Sequence, residues 1–263
     1  MPRARPAVLP VMPNKVPEVT LAFWAIKIMS TTVGETGADY LAVHVGLGTL
    51  VTDGIMLVLL AAALAVQAAA RAYVPWRYWL TVVLISIVGT QITDFLTDTL
   101  AISLLASTLA FAAALAAAFS IWHTIEGTVS IHSIDTRRRE AFYWVVVLLT
   151  FALGTAAGDL ATEALGVGFR LGVLAFGALI AATPLAFRLG AGPVATFWIA
   201  YILTRPFGAS LGDLLSQAQV YGGLGLGTVA TSLVFLVVIV ALVTWISITG
   251  LGRTATPAAA ERG

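Results

Sequence analysis

The sequence predicts an all-α polytopic membrane protein: eight transmembrane helices built from four parallel two-helix repeats, pseudo-symmetric about the membrane normal. Three observations predict it. The chain of 263 residues is 59% hydrophobic and 10% charged, with a mean hydropathy of +0.97, whereas a soluble domain is about one-quarter charged. Eight apolar stretches approach the ~20 residues that cross a ~30 Å hydrocarbon layer. One motif also recurs four times at a single spacing: an aromatic residue, Trp, nine residues, Gly, four residues, Asp. The copies are Phe23-Trp24…Gly34…Asp39, Tyr78-Trp79…Gly89…Asp94, Tyr143-Trp144…Gly154…Asp159 and Phe197-Trp198…Gly208…Asp213.

In chain order, residues 1–17 are rich in proline and basic residues and lack the apolar core of a signal peptide. They read as a disordered cytoplasmic leader. Spans follow at about 18–37, 50–70, 78–96 and 99–122, forming a first membrane half (18–122) of two hairpin repeats. Residues 123–140 form a polar cytoplasmic linker. Spans at about 141–160, 166–187, 193–212 and 223–249 form the second half (141–249), and 250–263 is a cytoplasmic tail. Odd-numbered spans carry the motif, and even-numbered ones are plain Ala/Leu/Val stretches. Two spans per repeat keep all four copies in one orientation, which places the symmetry axis along the membrane normal. The motif aromatics begin each odd span, where an aromatic belt is expected at the headgroups.

Basic residues set the orientation. Arg3, Arg5, Lys15, Arg71, Arg77, Arg137, Arg138, Arg139, Arg188, Arg253 and Arg262 fall on one side of the eight-span arrangement, and Arg170 alone falls in a loop on the other. The positive-inside rule then places both termini in the cytoplasm. The expected location is a bacterial inner membrane. With no Cys in the chain, disulfides, thiol catalysis and Cys-ligated metals are excluded.

The chemistry lies in the acids. Each motif Asp is 15 residues past its Trp, ~22 Å along a helix, which places it in the outer part of the bilayer. Glu35 precedes Asp39 by four residues, Asp98 and Glu163 follow Asp94 and Asp159 by four, and Gln217 follows Asp213 by four. Residues four apart share a helix face, and acids so paired repel unless protonated or bridged by a cation. Glu35, Asp39, Asp94, Asp98, Asp159, Glu163 and Asp213 thus form the candidate metal site. All-oxygen, carboxylate-rich ligands suit hard divalent cations, and His44 adds a nitrogen that favours Mn²⁺. Lys27 and Arg205 lie inside spans. Arg205 is expected to partner Glu35 or another repeat's acid, which makes the fourth repeat unlike the others. The motif Gly fits close helix packing. Polar residues in the linker (His123, Glu126, His132 and Asp135) match no metal-binding spacing and read as a solvated loop.

The stretches NKVPEVTLAFWAIKIMSTTVGETGADYL (14–41) and EGTVSIHSIDTRRREAFYW…TFALGTAAGDLATEALGVGF (126–169) resemble a family of uncharacterised bacterial multi-span inner-membrane proteins that carry the label membrane-anchored protein. The resemblance implies a bacterial inner-membrane protein and brings no activity with it.

The expectation is therefore a secondary transporter of a divalent metal cation, Mn²⁺ favoured over Mg²⁺ or Ca²⁺, with proton coupling natural to clustered acids. The alternatives are a cation channel or a membrane-embedded enzyme using the same acids. The chain contains no G-x-S-x-G, H-E-x-x-H or Walker A pattern, so no enzyme is expected, and no cofactor. The expected partners are the lipid bilayer, the transported metal ion and a second copy of the chain, but not nucleic acid.

Overall fold

The computed structural model describes residues 14–44 and 48–252, and for 42–44 the backbone alone. The described residues form eight long α-helices and no strand: α1 (Leu21–His44), α2 (Thr49–Ala68), α3 (Pro75–Asp94), α4 (Leu104–Glu126), α5 (Arg137–Asp159), α6 (Phe169–Arg188), α7 (Pro193–Ser216) and α8 (Thr228–Thr249). Local chemistry sets the ends. Proline opens α3 and α7, where its missing N–H costs nothing. The Ser103 and Thr136 hydroxyls cap α4 and α5 by accepting the N–H groups of Ala106 and Arg139. Gly127 closes α4 in the left-handed conformation, φ 71°.

Six helices (α2, α6, α8, α4, and α3 and α5 with the turns that follow them) are long and apolar enough to cross a membrane. The other two, α1 and α7, match them in length but carry Lys27, Glu35 and Asp39, and Arg205 and Asp213. These long apolar helices suggest a membrane-spanning protein.

The four odd helices form a closed ring in which α1 packs on α3, α3 on α5, α5 on α7 and α7 on α1. The even helices lie outside it, with apolar side chains such as Leu57, Leu109, Leu174 and Val237 exposed. The expected hairpins are not the packing units. Each even helix packs mainly on the odd helix of the next repeat: α2 on α3, α4 on α5, α6 on α7, and α8 back on α1. The reason is that each odd helix is occupied on both flanks by other odd helices. The even helix therefore settles in an outer groove, where its apolar stripe finds the next helix.

Six of the expected boundaries shift by four residues or more: α1 runs on to 44, α4 runs from 104 to 126, α5 begins at 137, α7 runs on to 216 and α8 begins at 228, so the expected 123–140 linker shortens to 127–136. Before α4 lies Ala101 at φ 53°, a turn that no helix passes through. The leader is corrected in part. Residues 1–13 lie outside the described residues, but Lys15 is buried, pairing with Glu140 at 2.5 Å and donating to the Ala68 carbonyl at 3.1 Å. Asn14 donates to the Ile131 carbonyl at 2.9 Å. The 14–20 segment, the α2–α3 connection, the linker and Gly252 are thus tied together at one end of the bundle.

Candidate functional site

Three levels of contact close the ring, and each uses the motif. At the first, the leading aromatic of each repeat packs on the Trp of the next: Phe23 on Trp79, Tyr78 on Trp144, Tyr143 on Trp198 and Phe197 on Trp24, with ring centroids 5.4–6.2 Å apart. The expected headgroup belt is therefore corrected. Trp79, Trp144 and Trp198 are at most 7% exposed, because the rings find better partners in one another than at a lipid interface.

At the second level the motif glycines act. A Cβ on Gly34 would lie 1.8 Å from the Ser86 hydroxyl, on Gly89 2.7 Å from Phe151, on Gly154 2.5 Å from Arg205, and on Gly208 1.9 Å from the Thr31 hydroxyl. Each partner sits three residues before the next repeat's glycine. Four residues after each motif glycine stand Ala38, Thr93, Gly158 and Gly212, so the close approach runs for more than a turn, as small-xxx-small packing requires.

At the third level stand the motif acids. Asp39 lies within electrostatic range of Asp94 and Asp213, and Asp159 within range of the same two. All four also feel the charge of Glu35. Asp213 is buried, the other three are half-buried, and Gln217 reaches Asp39 Oδ2 at 3.5 Å. Asp98 and Glu163 are exposed, beyond the ring rather than inside it. They sit in π-helical turns, Phe95–Thr99 and Leu160–Ala164, whose extra residue per turn carries the second acid outward. The His44 side chain lies outside the described residues. Among the described residues, no three His, Asp or Glu groups are placed to hold one metal ion together.

Between the aromatic and acid levels lie two buried basic side chains. Arg205 touches all three other odd helices. It donates to Glu35 Oε2 at 2.7 Å and to the Thr31 carbonyl at 3.0 Å, contacts the Thr90 hydroxyl, and lies 5.9 Å from the centre of the Phe151 ring. The expected Arg205–Glu35 pairing is therefore present. Lys27 Nζ lies over the rings of Phe151 (3.9 Å) and Tyr201 (4.2 Å) and 3.3 Å from the Thr204 hydroxyl. It is buried rather than extended to a surface. The pairing of Arg205 with Glu35 was legible in the sequence; the aromatic surroundings were not, since only the ring brings Phe151 and Tyr201 around these side chains. The expected solvated linker is corrected: His123 and Glu126 end α4, the Glu126 side chain is 6% exposed and pairs with Arg138 and Arg139, Arg139 also pairs with Asp135, and Ile131 and Ile134 are buried against the core.

Sequence comparison returns one family. Residues 22–73, 77–128, 142–189 and 196–250 each match the model of a repeat of unknown function, DUF347. Each matched segment covers one odd and one even helix. No curated protein and no solved structure matches the chain.

Proposed function

From the premise that this chain belongs to the DUF347 family, whose repeats cover most of it without assigning an activity, we propose a secondary transporter of a divalent metal cation. The observation that carries the reading is the cluster of Asp39, Asp94, Asp159, Asp213 and Glu35, within electrostatic range of one another toward one end of the closed ring of odd helices. Five carboxylates face one guanidinium there, and that deficit of positive charge is one that cations or protons fill. Acids inside apolar helices are expensive and mark ion pathways. No three carboxylates converge as they stand, so in this reading a multidentate ion would be held only after the ring draws inward.

In this reading all eight helices span the bilayer, with the pseudo-fourfold axis along the membrane normal. The end that gathers Lys15, Arg71, Arg77, Arg137 and Arg188 is cytoplasmic, in a bacterial inner membrane. The acid ring then faces the outer leaflet. Asp98 and Glu163, exposed beyond it, form an acidic vestibule that raises the local cation concentration.

The test is flux into liposomes with Mn²⁺, Mg²⁺, Ca²⁺, Zn²⁺ and protons as separate probes. Asn at Asp39, Asp94, Asp159 or Asp213 is expected to cut divalent flux by roughly tenfold or more, the scale on which a damaged metal site loses affinity. Parent-like flux in all four variants would sink the assignment.

A further inference from the structure

The seat filled by the Arg205 guanidinium has the chemistry of a cation site. It is built from the Glu35 carboxylate, the Thr31 carbonyl and the Thr90 hydroxyl, three oxygens on two helices meeting one positive group. That mixture of charged and neutral oxygens is what hard divalent cations take. Arg205 is fully buried, yet its Nε has no hydrogen-bond partner. A buried arginine kept only for stability would be expected to satisfy its whole fork.

Helix packing does not demand the arginine either. The equivalent residues, three before the motif glycine, are Thr31, Ser86 and Phe151 in the other repeats. All of them pack at the same contact without a charge. The fourth repeat alone brings a cation to the centre, and it does so next to Pro206, whose missing N–H loosens the helix one turn away.

We propose that this seat is an inner binding site for a divalent cation, and that the cation passes by exchanging with the Arg205 guanidinium. The proposal rests on the transport reading above. The displaced guanidinium has a destination, since Arg205 already lies within electrostatic range of Asp39, Asp94 and Asp159. A cation moving from the Asp ring onto Glu35 therefore trades places with a tethered charge. Below the seat, the buried Lys27 side chain, held between two aromatic rings, fills the way toward the other end. Arg205 thus acts as a resident competitor that keeps the path closed until a cation of sufficient charge arrives.

The experiment uses the full chain, purified in detergent and in liposomes, with Mn²⁺ as the probe. Arg205→Gln is expected to bind one more Mn²⁺ per protein, and roughly tenfold more tightly, because a competing state has been removed. Its turnover should fall, since nothing displaces the ion. The double variant Arg205→Gln/Glu35→Gln should lose the additional equivalent. Parent-like stoichiometry and affinity in Arg205→Gln overturn the proposal. If Arg205→Gln folds only in the presence of Mn²⁺, and not in NaCl of equal ionic strength, the seat accepts the metal. If Mn²⁺ does not rescue it, the proposal fails. Asp39→Asn and Asp159→Asn run in parallel separate the two ideas. Lost flux in these with a parent-like Arg205→Gln removes the inner site alone, whereas unchanged flux removes the transport reading.

Discussion

Gly34 and Gly208 show how little room the ring leaves. An added methyl would sit 1.8 Å from Ser86 and 1.9 Å from Thr31, and atoms of the facing backbone lie within about 3 Å in both cases. Rotating a hydroxyl cannot relieve such a clash, so the helices must separate. Gly34→Ala and Gly208→Ala are expected to destabilise by about 1–3 kcal/mol, the usual cost of overpacking. They should appear as lowered melting temperatures in detergent. Gly54→Ala, with nothing within 4 Å, is the matched control and should be neutral or better. The glycines were legible because their spacing repeats. Their partners were not, because Ser86, Phe151, Arg205 and Thr31 share no chemistry, only a position.

At the scale of elements, the turns between odd and even helices carry a second repeated feature. Gly166-Val167-Gly168 and Gly225-Leu226-Gly227 have both glycines at positive φ, and Gly48 at φ 81° caps α2 in the same way. Repeat two has Ala101 where a glycine stands in repeat three, also seven residues past the motif Asp, and Ala101 is forced to φ 53°. Ala101→Gly is therefore expected to stabilise by about 1 kcal/mol, the cost of a left-handed L-residue, and to raise the melting temperature. The G-x-G spacing was available in the sequence. The anchoring of the 14–20 segment was not. Lys15 is an ordinary basic residue until Glu140 and the Ala68 carbonyl surround it. Lys15→Met should cost about 3–5 kcal/mol by leaving Glu140 buried without its partner, while Lys15→Met with Glu140→Gln should recover much of that loss.

For the whole molecule, the offset packing of even helices makes the ring interdependent. The last helix of the first half, α4, lies on α5, and the last helix of the chain, α8, lies on α1. Neither half therefore buries its own odd helices alone. Residues 1–130 and 131–263 produced separately are expected to aggregate, and produced together to co-purify as one monodisperse species on size exclusion. Folded, monodisperse separate halves would show that the interlock is dispensable. The closed ring also explains why Arg205 and Lys27 can be buried at all. Four helices contribute aromatic faces, hydroxyls and carbonyls around them, which no single hairpin could supply.

The sequence by itself determined the apolar helical class, the fourfold repeat, the helices that carry acids, and the oddness of the fourth copy. Each of these is written in composition or in a fixed residue interval. Only the tertiary structure decided which surfaces the interval serves. It turned the aromatics from a headgroup belt into an interlocking ring, placed each even helix on its neighbour's repeat, and sent Asp98 and Glu163 outward through π-helical turns. It also added the Thr31 carbonyl and the Thr90 hydroxyl to the expected pairing of Arg205 with Glu35. The physical reason is that periodicity fixes the face of a helix on which a residue lies. What that face meets depends on contacts between residues 51 to 177 positions apart.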